Sequence, residues 1–174
     1  MTITQKLTDF HREASTHYKA GCRDPQAILS PENLADLTSL GLSAQFLYDC
    51  VDDLSRYGEP SLETFVALAQ IRTNYFKDVL KGRHATGEIP ESNLSPKSAE
   101  FQGVAWLPRI IEKARCFLAG SLCADIMYGC AGDRKFLSTY GATLPSFLET
   151  VRDSQGDPHA ALRCLEKSRS LIHS

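Results

Sequence analysis

Cys130, Tyr128 and Asp133 are the side chains in this sequence best suited to nucleophilic attack or proton transfer. They crowd into M-Y-G-C-A-G-D-R, from Met127 to Arg134. A thiol can form a covalent intermediate, and a phenol or carboxyl group can move a proton. No histidine lies near Cys130 in sequence to activate it. Upstream, Arg109 and Lys113 carry positive charge, and Arg134 adds a third cation. With Arg72 they form a set that would hold a carboxylate or a phosphate, and Asp125 is a carboxylate they could share. The three catalytic candidates and the five ligand-binding candidates (Arg72, Arg109, Lys113, Asp125 and Arg134) are the chemistry the rest of the chain must position.

Helical periodicity supplies the positioning. Leu107 opens a helix, with Pro108 in a first-turn place where its missing N–H costs nothing. At roughly 100° per residue, Leu107, Ile110, Ile111, Ala114, Phe117 and Leu118 share one face. Arg109, Glu112, Lys113 and Cys116 fall opposite. Arg109 then stands in the first turn against the helix dipole, where a cation calls for an anion nearby. Gly120 ends the helix. A second short helix is expected to place Asp125 and Tyr128 on one side at i, i+3. After Gly129 and Gly132, Asp133 reads as the N-cap of a helix carrying Phe136, Leu137 and Tyr140.

W-L-P-R-I-I-x-K-A-R followed by M-Y-G-C-x-G-D-R resembles the core of the bacterial domain-of-unknown-function family 5069. F-L-Y-D-C-V-D-D (Phe46 to Asp53), Y-G-E-P-S (Tyr57 to Ser61) and R-T-N-Y-F (Arg72 to Phe76) are similar to its other blocks, so the resemblance covers most of the chain. The family pattern often has G-C-G-G-D-R, from which Ala131 departs. The resemblance brings no activity, substrate or catalytic residue.

Upstream, Ile3, Leu7, Phe10, Ala14 and Tyr18 mark a helix over 3–20. His17 falls toward its apolar stripe and His11 near the edge, both as core histidines. Ser30-Pro31 and Ser43 start two further helices. The second of these carries Asp49, Asp52 and Asp53, a spacing that could hold a divalent cation but reads as a solvated face with Arg56 paired to Asp52. Pro60-Ser61 opens a helix to about Lys81, and Arg72 projects into the middle of its apolar face. A guanidinium there must find a carboxylate, for which Asp53 is a candidate, or several carbonyls, or else line a cavity and meet an anionic ligand. Residues 82–105 are polar and without helical period, as in a lid or a linker. Two last helices follow, from Leu144-Pro145 and from Pro158. The F-L helix, Gly-acid-Pro, helix pairing occurs twice, at Phe46 to Ser61 and at Phe147 to His159. Because the spacings differ, it reads as shared punctuation rather than a duplication.

The fold expected is all-α, with about seven or eight helices in two packed halves. The halves are 1–81 and 106–174, joined by the 82–105 loop and together forming one compact unit. The 174 residues are 43% hydrophobic and enough for one good core. A formal net charge of −2, without a basic stripe, argues against nucleic acid. No segment could span a bilayer and no signal-peptide core is present, so a cytoplasmic protein without membrane association is expected. The six cysteines then read as reduced thiols. Without a C-x-x-C, no metal and no cofactor is expected. Two functions compete. One is binding, with or without enzymatic turnover, of a small anionic molecule at an Arg/Lys-lined pocket between the helical halves. The other is a non-catalytic scaffold or interaction module whose polar residues are structural ion pairs. A homo-oligomer is left open.

Overall fold

The computed structural model describes all 174 residues and contains eight α-helices and one small hairpin of two two-residue strands. The all-α expectation therefore holds, with the hairpin as a small exception. The chain divides into two compact units, Met1–His84 and Ala85–Ser174. No helix is long and apolar enough to cross a membrane.

The first unit holds α1 (Ile3–Lys19), α2 (Pro31–Ser39), α3 (Ala44–Tyr57) and α4 (Leu62–Asp78). Each start is capped by a side-chain oxygen that takes an otherwise orphaned N–H: Thr2, Ser30, Ser43 and Ser61. α1 packs against α3 and α4, burying Leu7, Phe10 and Ala14 with Leu47, Val51, Phe65 and Leu68. The two histidines of α1 exchange their expected places. His11 is buried against the Phe65 ring, whereas His17 is half-buried and bonds through Nδ1 to the Ile28 carbonyl at 3.0 Å.

The second unit begins with an irregular segment and the hairpin β1 (Glu100–Phe101) to β2 (Val104–Ala105). Gln102 and Gly103, between the strands, both have positive φ, as a tight antiparallel turn requires. α5 (Leu107–Ala119), α6 (Ala131–Thr139), α7 (Leu144–Ser154) and α8 (Pro158–Ile172) follow. α5, α7 and α8 pack on one another and bury Leu107, Ile110, Ala114, Phe147, Leu148, Val151, Ala161 and Leu165.

Two local expectations fail. Residues 121–130 form turns rather than a short helix, so Asp125 and Tyr128 do not share a helical face. α6 starts at Ala131 with Cys130 as N-cap, which puts Asp133 in the third helical position and fully buried rather than at the cap. Ala131 is an ordinary first helical residue, which removes any need for glycine there.

The shared punctuation extends into a register of one hundred positions. Leu7 and Leu107, Ala14 and Ala114, Leu37 and Leu137, and Val51 and Val151 are all buried at corresponding places. Gly41 and Gly141 both have positive φ after a nine-residue helix, and Ser43 and Thr143 both cap the next one.

Candidate functional site

Asp133 is the centre of the polar cluster in the second unit. Its Oδ2 accepts from the Lys113 ammonium at 2.5 Å and from the Gly129 N–H at 2.9 Å, and its Oδ1 accepts from the Trp106 indole N–H at 2.9 Å. Asp133 is 0% exposed and Lys113 3%. Removing either charge alone would strand the other, at a cost of about 3–5 kcal/mol for a fully buried pair. The Lys113 Nζ also donates to Cys130 Sγ at 3.2 Å, and Arg134 Nη1 donates to the Gly129 carbonyl at 2.8 Å. Gly129 is thus held from both sides, at a φ of +95° that only glycine adopts without strain.

Trp106 and Gly132 complete the cluster. Trp106 precedes α5 with φ +73°, a left-handed conformation that costs a bulky residue about 1 kcal/mol or more. Its backbone N–H bonds to the Ala99 carbonyl and its indole to Asp133, which together hold it there. A Cβ on Gly132 would come within 2.7 Å of the indole ring, so the bare glycine lets the ring lie on the start of α6. Trp106 escapes sequence reasoning because its partner is 27 residues away. A lone tryptophan just ahead of Leu-Pro is a weak signal for such a role.

The other candidates have separate partners. Arg109 meets the anion its position calls for: Nη2 lies 2.7 Å from Glu91 Oε1 and Nη1 donates to the Ser95 carbonyl at 3.0 Å. Glu112, one turn along α5, accepts from both the N–H and the hydroxyl of Ser95 at 2.6 Å each. These contacts fasten the 91–95 segment, which holds the short 3-10 turn Glu91–Asn93, to α5. Tyr128 is buried and donates to the Leu144 carbonyl at 2.8 Å. Burial, followed by the Asp133 carboxylate, pushes its phenol well above the usual range, so it stays protonated near neutrality. Asp125 is exposed in the turn at 124–125. Three of the expected residues therefore meet (Lys113, Cys130 and Asp133), with Arg134 tied to them through Gly129.

Arg72, in the first unit, is different. It is 3% exposed, forms no ion pair, and its Nη1 has no hydrogen-bond partner. Its guanidinium carbon lies 5.3 Å from the centroid of the Phe76 ring. Desolvation pulls its pKa down to about 10, still well above neutrality, so the charge remains. The expected structural partnership with a carboxylate or several carbonyls is absent, and α4 does not pair Arg72 with Asp53. On the neighbouring α3, Asp52 accepts from Arg56 at 3.1 Å, as its spacing predicts, and from the Tyr18 hydroxyl at 2.5 Å. Asp49, Asp52 and Asp53 are half-buried rather than solvated. Burial lifts the Asp49 carboxyl to about 6, against a smaller opposing effect of its bond from Gln45. All six cysteines are free, and no three His, Cys, Asp or Glu side chains come together as a metal ion would need.

No curated protein and no solved structure matches the chain. The upstream blocks Phe46–Asp53, Tyr57–Ser61 and Arg72–Phe76 lie outside the stretch that a family model matches. Residues 91–173 match the family described as Domain of unknown function (DUF5069), so the resemblance rests on the part of the chain that carries α5 to α8 and the Lys113–Cys130–Asp133 cluster.

Proposed function

We propose that this protein binds a small anionic molecule, a carboxylate or a phosphate, through the guanidinium of Arg72, in the cytoplasm of a bacterium. The observation that carries this reading is the buried, unpaired Nη1 of Arg72. An unsatisfied buried cation is costly, and arginine is suited to planar, bidentate capture of carboxylate or phosphate oxygens. Arg109 and Lys113 spend their charge on Glu91 and Asp133. In this reading they are structural, and Arg72 supplies the affinity.

Thermal melting in chloride of matched ionic strength, with and without added phosphate, sulfate or succinate, tests it. A ligand that binds only the folded state raises the melting temperature by an amount that saturates with concentration. We expect saturation at roughly millimolar concentration, in line with a single well-desolvated anion contact. Arg72→Met should abolish the increment. The variant should also be as stable as the parent or more so without ligand, because no partner carboxylate is left behind. Loss of stability in Arg72→Met without any anion effect in the parent would overturn the reading. The scaffold alternative would then stand, favoured by the complete pairing of Asp133.

A further inference from the structure

Thr73, next to Arg72 in α4, carries a second buried polar atom that lacks a hydrogen-bond partner. The residue is 0% exposed, so no solvent reaches its hydroxyl. Ala69, Arg72, Thr73 and Phe76 stand at i, i+3, i+4 and i+7, the spacing of one helical face, and all four are buried. The guanidinium and the hydroxyl therefore leave the helix from neighbouring positions on the same buried stripe.

Every other threonine within a helix of this protein uses its hydroxyl. Thr8, Thr16, Thr38 and Thr150 donate back to the carbonyl four residues earlier at 2.8–3.1 Å. Thr139 donates to the carbonyl three residues earlier at 2.7 Å. Thr4 accepts from the Gln70 amide, and Thr64 from the Ser61 hydroxyl. The backward bond is the local way for a helical threonine to satisfy its hydroxyl. Thr73 leaves the equivalent bond to Ala69 unmade, beside a guanidinium whose Nη1 is also unpaired. A buried water would serve the hydroxyl but leave the arginine charge without compensation. One oxyanion between the two groups would satisfy both.

The number of donors separates the classes of anion. An arginine fork occupies two oxygens side by side, and a carboxylate has no more than two. A phosphoryl group offers a further acceptor oxygen, turned out of the plane of the fork, for a hydroxyl to meet. We propose that the anion held by Arg72 is a phosphoryl group, as free phosphate or the end of a phosphate monoester, and that Thr73 selects it over a carboxylate. This inference rests on the anion reading of Arg72 and adds the class of anion to it. Arg72 supplies the charge and holds two oxygens, and the Thr73 hydroxyl donates to a third.

The test measures dissociation constants of the full-length protein for inorganic phosphate, methyl phosphate, acetate and succinate by calorimetry at constant ionic strength. The parent should hold inorganic phosphate about tenfold or more tighter than acetate or succinate, the value of one hydrogen bond to a charged group. Methyl phosphate binding as well as inorganic phosphate assigns the site to monoesters, and its exclusion assigns the site to the free ion. Thr73→Val, which keeps the branched shape and removes the hydroxyl, should weaken phosphate about tenfold and leave acetate within about twofold. Thr73→Ser, which keeps the hydroxyl, should retain the preference for phosphate. Without ligand, Thr73→Val should melt no lower than the parent, because it removes an unpaired buried hydroxyl. Should that variant fail to fold, the parent's own preference decides. Equal affinity of the parent for phosphate and acetate would overturn this inference and leave the anion reading in place. So would a Thr73→Val variant that keeps its preference, or loses both anions alike. A parent that binds none of the four would remove both readings.

Discussion

Arg72 and Asp49 show how single residues in the first unit carry the cost of burial without an ionic partner to offset it. Arg72 is buried and unpaired, and Asp49 is held partly desolvated, with a carboxyl raised to about 6. The consequence for Asp49 can be signed. Its folded pKa lies above the unfolded value near 3.8, so the folded state binds the proton more tightly. Stability from this group is full below pH ~3.8 and is lost as pH rises through about 6. Asp49→Asn, which keeps the Gln45 contact and carries no charge, should raise the melting temperature at pH 7.5. It should also flatten the parent's decline between pH 4 and 7. A variant that melts lower than the parent at pH 7.5 would show that the carboxylate is stabilising as it stands. At the same scale Asp133, whose two oxygens accept three hydrogen bonds, shows a buried charge with every need met. Its sequence neighbourhood suggested a cap or a proton-transfer group, not a buried charge bonded on every side.

At the scale of the elements, the start of α6 depends on contact with a residue before α5. Gly132 is in the first turn, where alanine would ordinarily favour the helix by about 0.5–1 kcal/mol. Here an added Cβ would stand 2.7 Å from Trp106 Cζ2 and 2.9 Å from Cη2. The indole cannot retreat without breaking its bond to Asp133. Gly132→Ala should therefore lose about 1–3 kcal/mol, the usual cost of overpacking. Urea unfolding followed through the single tryptophan would report both the stability and the indole's environment. Gly87→Ala, with nothing within 4 Å of its Cβ, is the control and should stay within about 0.5 kcal/mol of the parent. The helices themselves were legible because capping and periodicity are local. Ser30, Ser43 and Ser61 cap as their positions imply. α6 began earlier than expected because Cys130, an unfavourable cap, gave no signal that a helix starts there.

On the scale of the whole molecule, the boundary between units falls at 84/85, inside the polar stretch that the sequence marks as connecting. Residues 81–88 are all exposed and carry no helix. Brief trypsin digestion should therefore cut after Lys81 or Arg83 before any helix is attacked, leaving two fragments while the far-UV helical signal persists. A first cut within α3 or α4 would contradict it. The rest of that stretch is not a bare linker: Glu91 and Ser95 are fastened to α5 by Arg109 and Glu112. The all-helical class, most of the helix starts and the apolar faces were readable from the sequence. Each depends on interactions within a few residues, whose periods and caps are written directly in the chain. The tertiary structure alone decided that Lys113 meets Cys130 and Asp133 across 17 and 20 residues, that Trp106 closes that cluster, and that Arg72 meets no carboxylate. Such pairings depend on which helices pack and at what rotation, and a small error in rotation changes a buried charge's partner while leaving every local pattern intact.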